Sequence, residues 1–258
     1  MIPKIIHYCW FGGNPLPELA IKCLDSWNKY LPDYEIVRWD ENNFDINTNL
    51  YVKQAYEAKK FAFVSDYVRL YALFNHGGIY MDTDVEVLQP LDMFLNHKAF
   101  SGFESYIYLS TCIMACEKGF TGFNELLELY KTKRFIKDDG TYDVTTNVAF
   151  ITDFYVKKGL LQNNTLQTIE GLTIYPEQFF CPRPLIGGKH DKEAYIVHHF
   201  AGSWRSAEEQ RRKNSLLFKT YFRLLMAIRQ AAIGILGKDA FEKTKGLLTK
   251  RRNRNEPN

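Results

Sequence analysis

Residues 61–86 read FAFVSDYVRLYALFNHGGIYMDTDVE, a helix, a bend and a strand in succession. Phe61 to His76 carries apolar residues at Phe63, Val64, Val68, Leu70, Leu73 and Phe74, and Gly77-Gly78 closes it where a left-handed cap costs glycine little. Ile79 to Leu88 then alternates as a strand, which Pro90 terminates. Outward from this unit the pattern repeats. Towards the N-terminus, Lys4 to Phe11 is a β-branched and aromatic strand ending in Gly12-Gly13, Pro17 to Tyr30 an amphipathic helix, Tyr34 to Trp39 a strand, and Leu50 to Lys59 a helix. Towards the C-terminus, Ala99 to Phe103 and Ser110 to Ala115 read as strands, Thr121 to Lys131 and Thr146 to Lys157 as helices, and Leu172 to Tyr175 and Tyr195 to Phe200 as strands closing the sheet. Strands alternating with helices predict an α/β layer architecture.

Composition agrees with a globular chain. Of 258 residues, 46% are hydrophobic and 15% aromatic against 24% charged, enough to bury a core and too apolar for disorder. Five cysteines, Cys9, Cys23, Cys112, Cys116 and Cys181, contain no CxxC pair, so neither a disulfide framework nor a zinc knuckle is expected, and a reducing compartment fits. The start, MIPKIIHYCWFGG, is too short and polar for a secretory signal, and no apolar run approaches the ~20 residues that span a bilayer. A cytoplasmic protein is expected. Charge is uneven: from Arg205 onward fourteen Lys and Arg face five Asp and Glu, whereas the preceding body is acidic. A long helix from Glu208 with interleaved Arg211, Arg212, Lys213, Lys219, Arg223 and Arg229 has two readings. One is a basic amphipathic helix lying, through residues 208–254, on the anionic inner face of the cytoplasmic membrane. The other is a terminal helix packed on the sheet with a solvated basic face. No motif in the tail favours nucleic acid.

The residues with the clearest chemistry are Asp82-Thr83-Asp84. On a strand, residues i and i+2 share a face, so both carboxylates can converge on one cation while Thr83 points away. Mg²⁺ or Mn²⁺, with oxygen ligands, would relieve their repulsion and could hold a diphosphate. The alternative is a strand end with incidental acids. Asp66 and Arg69, at i and i+3 on the preceding helix, share a face within an apolar stretch where charges are rarely placed without a partner or a task. Tyr80 has the strand parity of Asp82 and Asp84 and adds an aromatic hydroxyl, or else belongs to the core.

The segment SDYVRLYALFNHGGIYMDTD, with the opening IPKIIHYCWFGG, the stretch SWNKYLPDYEIVRWDENNFDI and the terminal HHFAGSW, resembles the DxD-containing sugar transferases of glycosyltransferase family 32. That family includes yeast α-mannosyltransferases and bacterial capsule and lipopolysaccharide enzymes, and the segment is similar to the glucosyltransferase domain of the large clostridial toxins. The resemblance implies a GT-A catalytic domain over residues 1–205 with a basic helical extension over 206–258. It further implies a nucleotide-sugar donor, a UDP-sugar first among them, a divalent metal, and transfer with retention to a glycan or lipid-linked acceptor in surface polysaccharide synthesis. Asp82 and Asp84 match the metal- and donor-binding pair. Asp66 and Arg69 match the acid and arginine that bind the donor sugar and steady the departing phosphate. Trp10 falls where relatives stack the nucleobase.

The resemblance extends to His199-Phe200-Ala201-Gly202, which implies His199 as the third metal ligand; His198 competes for the role, because neighbours on a strand face opposite ways. Ser203 stays in play as a ligand, Trp204 resembles the tryptophan that closes over the diphosphate, and Asn147 is a candidate for the sugar pocket. Two rival functions are carried forward: a metal-dependent phosphatase, whose early Asp and later Lys are not found, and a non-catalytic, membrane-associated glycan-binding subunit.

Overall fold

The computed structural model describes residues 1–105, 107–182, 193–202 and 220. Contacts divide the chain into two units, Met1–Ala201 and Gly202–Asn258; the fold that follows is that of the first. Expectations placed on Ser203, Trp204 and the helix of 208–254 lie outside the described residues.

Along the chain run β1 (Ile5–Cys9), α1 (Glu18–Tyr30), β2 (Glu35–Trp39), α2 (Leu50–Glu57), α3 (Phe61–His76), β3 (Gly78–Met81), β4 (Val85–Val87), β5 (Ala99–Gly102), β6 (Ile113–Cys116), α4 (Thr121–Tyr130), α5 (Asn147–Lys157), β7 (Gln167–Ile169), β8 (Leu172–Tyr175), α6 (Glu177–Phe180) and β9 (Ile196–His198). Seven strands form one sheet in the order β2-β1-β3-β6-β5-β8-β7. β1 pairs parallel with β2 and β3, and β5 with β8, while β6 and β7 run against their neighbours, so five strands point the same way. The chain is α/β, as its alternation of elements predicts.

Strand alternation sorts side chains to two faces. On β3 and β6, Tyr80, Met114 and Cys116 join a core with α2, α3, α4 and α5; Ile79, Met81, Ile113 and Ala115 join a second core with α1 and α6. α3 is the helix pressed most closely into the first core, burying Val64, Val68, Leu70, Ala72 and Leu73. Each large apolar side chain buried in this way contributes roughly 1.5–3 kcal/mol.

Two expectations are corrected. The strand expected over Ile79 to Leu88 is broken at the acidic triplet: β3 belongs to the main sheet, whereas β4 pairs antiparallel with β9 in a separate two-stranded sheet. A turn in which the Val85 N–H donates to the Asp82 carbonyl at 3.0 Å makes the break. For the same reason β9 does not close the main sheet. The short β7 and α6 escape the sequence pattern, since three or four residues carry too little periodicity to register.

The diglycine bend is explained by close approach. Gly78 has φ +100°, and a Cβ there would stand 2.5 Å from the Ile5 carbonyl of the neighbouring strand. The buried His7 fixes the bend from the side: its Nε2 lies 2.8 Å from the Gly77 carbonyl, and its Nδ1 accepts from Trp39 Nε1 at 3.1 Å. Burial pushes the His7 pKa down to about 4, so the ring is neutral and Nε2 is the donor. Replacing Gly78 with Ala should cost more than ~2 kcal/mol, combining left-handed strain with a backbone clash. Gly140→Ala, at φ +80° with nothing within 4 Å, should cost about 1 kcal/mol. Urea midpoints compare the two; equal losses would contradict the close-approach explanation.

Candidate functional site

Parallel β1 and β3 deliver their carboxyl ends to one edge of the sheet. Their register pairs His7 with Tyr80, so Cys9 comes level with Asp82 and Trp10 follows just beyond. In open α/β sheets this edge is where ligands bind. β6 enters from the same edge, and the Cys112 carbonyl accepts from the Asp82 N–H at 2.9 Å, pinning the acidic turn to the sheet.

Behind the turn lies Arg69, only 5% exposed. Its Nη2 is 3.0 Å from Asp66 Oδ1 and 3.5 Å from Asp82 Oδ1. Nη1 donates to the Thr111 carbonyl at 2.6 Å, Nε donates to the Ser65 carbonyl at 3.2 Å, and the guanidinium lies 4.6 Å from the centroid of the Tyr80 ring. The Tyr80 hydroxyl donates to Asp82 Oδ1 at 2.9 Å. Burial disfavours the arginine's charge, but the Tyr80 oxygen and the carboxylates of Asp82 and Asp66 outweigh it, so its pKa is raised. Asp66 is pushed up to about 6 by burial, with Asp82 adding to the shift and Arg69, Lys133 and Asn147 opposing it. Asn147, at the start of α5, is buried and its amide finds no complete hydrogen bond.

The other half of the turn is held by the C-terminal strand. β4 and β9 pair Val85 with His198, and His198 Nε2 lies 3.4 Å from Asp84 Oδ1. Phe200 takes φ +51°, uncommon for a non-glycine residue, and beyond it the Ala201 N–H donates to Asp84 Oδ2 at 2.8 Å. Burial tends to raise the Asp84 pKa, but contact with His198 and the Ala201 N–H outweighs it and holds the carboxylate below its usual range. Burial opposes charge on His198; Cys112 and Asp84 reverse this, and its pKa is raised.

The imidazole beside the acidic turn is therefore His198. His199 points away to Glu86, its Nε2 2.8 Å from Oε2, while only its backbone N–H meets the Asp84 carbonyl, at 3.0 Å. The alternation that the sequence left open sends these neighbours to opposite sides. Asp82, Asp84 and His198 each offer a ligand atom within 4.8 Å of the others, a span one divalent ion can bridge. Tyr80, Asp66, Arg69 and Asn147 stand against this cluster on the α3 side. Trp10 is half-buried at the same sheet edge, its Nε1 donating to the Asn14 carbonyl at 2.7 Å. Gly202, with φ +66°, begins the second unit.

Two contributors escape sequence reading. Thr111 acts through its carbonyl, which no side-chain pattern reveals. Lys133 pairs with Asp143 and lies within 6 Å of the rings of Tyr51, Tyr130 and Phe150 (5.0, 5.9 and 5.3 Å), where its charge steadies Asp66. It sits in a loop without periodicity.

Because Asp66 binds its proton more tightly folded than unfolded, its contribution to stability is full below about pH 4 and is lost as pH rises to about 6. Asp66→Asn should remove up to about 3 kcal/mol of that pH dependence, whatever it costs through the lost partner of Arg69. Denaturant unfolding at pH 4 to 7 reads this directly; an unchanged pH slope in the variant would contradict it.

Residues 17–101 match the family model described as a glycosyltransferase sugar-binding region containing the DXD motif. The chain is 32% identical over 126 residues to an inositol phosphoceramide mannosyltransferase of Schizosaccharomyces pombe, covering 46% of this chain and 34% of that protein. A second inositol phosphoceramide mannosyltransferase of that yeast is 26% identical over 110 residues, 38% and 33% of the two chains. The chain thus spans about a third of the length of the curated relatives it matches. Among solved structures, a glycosyltransferase involved in glycosylation of the major capsid of PBCV-1 is 13% identical, with a TM-score of 0.46 over 81% of this chain and 98% of that one. The matched residues run from α1 into β5 and contain Asp66, Arg69, Asp82 and Asp84.

Proposed function

We propose that this protein is a glycosyltransferase that moves a sugar from a nucleoside-diphosphate donor to a glycan or lipid-linked acceptor. The observation that carries the reading is the meeting of Asp82, Asp84 and His198 at the carboxyl edge of the sheet, directly in front of the buried Asp66–Arg69 pair. The two oxygen donors and one imidazole suit Mn²⁺ better than Mg²⁺, with Asp82, Asp84 and His198 holding the ion. When bound, such an ion supplies positive charge to the diphosphate as it departs.

The protein's own groups do the rest. Arg69 fixes the positions of Asp66 and Asp82 and, as the resemblance implies, carries the positive charge that steadies the departing phosphate. Asp66, drier than an ordinary carboxylate, offers oxygens to sugar hydroxyls, and the buried amide of Asn147 beside it can add a donor and an acceptor. Trp10 offers a flat apolar face for a nucleobase at the end of β1. A UDP-sugar donor, retention of configuration and a place in surface polysaccharide synthesis rest on the family resemblance, whereas the yeast relatives are named for mannose transfer to inositol phosphoceramide. Both donor and acceptor classes belong in the test.

Among the described residues no helix is long and apolar enough to cross a membrane. Work at the cytoplasmic membrane face, with the basic stretch 208–254 on anionic lipid, is supported by its charge. Changing Arg211, Arg212 and Lys213 together to Gln should weaken binding to phosphatidylserine vesicles at low salt by about tenfold or more, since each basic residue contributes about 1 kcal/mol. Equal partitioning in a sedimentation assay would contradict the membrane role.

Purified protein given Mn²⁺ and a panel of UDP- and GDP-sugars should release nucleoside diphosphate slowly even without acceptor. Asp84→Asn and His198→Ala should each lower that rate about a hundredfold, and chelation should abolish it. His199→Ala, acting only on Glu86, should lower it less than tenfold. Loss in His199→Ala with His198→Ala unaffected would overturn this assignment of the imidazole.

A further inference from the structure

On the far side of His198 from the acidic turn lies a second group of donors. Cys112 precedes β6 and Cys181 follows α6; both are buried, unpaired thiols whose sulfurs stand 3.5 Å apart. Ser110 Oγ is 3.1 Å from the first sulfur and 3.4 Å from the second. Each thiol and the His198 ring offers a ligand atom within 4.8 Å of the other two. Nδ1 of His198 is shielded from solvent and makes no hydrogen bond of ordinary geometry, and the Cys112 thiol is the group that interacts with the ring beside Asp84.

We infer that Cys112, Cys181 and His198 form a binding site for a thiophilic divalent ion of the zinc class, separate from the carboxylate cluster but sharing its imidazole. Tetrahedral zinc with bonds of about 2.3 Å to sulfur holds two thiolates about 3.8 Å apart, so the observed spacing needs little adjustment. Two sulfurs and one nitrogen are soft donors, which favour zinc over the hard cations suited to Asp82 and Asp84. Binding is balanced by release of both thiol protons and of the proton on the His198 nitrogen that turns to the metal, as two metal–sulfur bonds and one metal–nitrogen bond form, leaving one coordination position open. No CxxC spacing could disclose the site, because β6, α4, α5, β7, β8 and α6 separate the two cysteines in sequence. Since one imidazole belongs to both groups, an ion on the sulfurs restrains the ring that faces Asp84.

The test is metal binding by the full chain, read without any turnover assay, so its outcome is independent of the proposed transferase activity. Reduced protein is titrated with Co²⁺ alone, whose bonds to thiolate give charge-transfer absorption in the near ultraviolet, and then with Zn²⁺ to displace it. One equivalent of cobalt with thiolate absorption is expected, displaced by one equivalent of zinc. Cys181→Ser should abolish the absorption, and His198→Ala should weaken cobalt binding at least ~10-fold. Cys116→Ser and Asp84→Asn, which leave the three donors in place, should keep the band. Circular dichroism verifies that each variant is folded. A folded wild-type protein without thiolate absorption, or a band that survives in Cys181→Ser, would overturn the proposal.

Discussion

A guanidinium sealed from water is the constraint on which the site rests. Arg69 cannot be buried alone, because an unpaired charge in a dry interior costs several kcal/mol. Asp66 on its own helix and Asp82 on the turn after β3 share that charge, and Tyr80 covers it. The same contacts couple α3 to the carboxyl edge of the sheet. A buried pair of this kind adds little net stability compared with apolar packing, and removing one partner is costly. Its value lies in position: it fixes Asp82 while leaving the face towards solvent open.

The acidic turn is gripped from two sides. Asp82 is tied to the first core through Arg69 and Tyr80, and Asp84 to β9 through His198 and the Ala201 N–H. Residues more than a hundred positions apart in sequence therefore meet at one ion-sized gap. His7 and the diglycine bend set where that turn begins, so a neutral buried histidine far from any chemistry still governs the geometry of the carboxylates.

Most of this was legible in the sequence where periodicity is strong. The run from Phe61 to His76 and the Gly77-Gly78 bend gave α3 and the start of β3 with few errors, because helical spacing and glycine's freedom at positive φ are local properties. Asp82 and Asp84 were recognisable as a pair, but for an incomplete reason: they converge through a turn that breaks the strand, not through the alternation of a continuous one. That break is a tertiary event, made where the chain leaves β6 to pair with β9. The choice between His198 and His199 depended on the same long-range register and could not be made locally. Thr111, acting through its carbonyl, and Lys133, in an aperiodic loop, carried no readable signal.

In the proposed function, a divalent ion in front of Asp82 and Asp84 would complete the charge pattern that Arg69 begins behind them. Isothermal titration of the wild-type protein with UDP and with GDP, each with and without Mn²⁺, examines this most directly. Binding of at least one nucleotide that appears only with the metal is the required result. Equal affinity with and without Mn²⁺, or none to either nucleotide with it, would contradict the assignment.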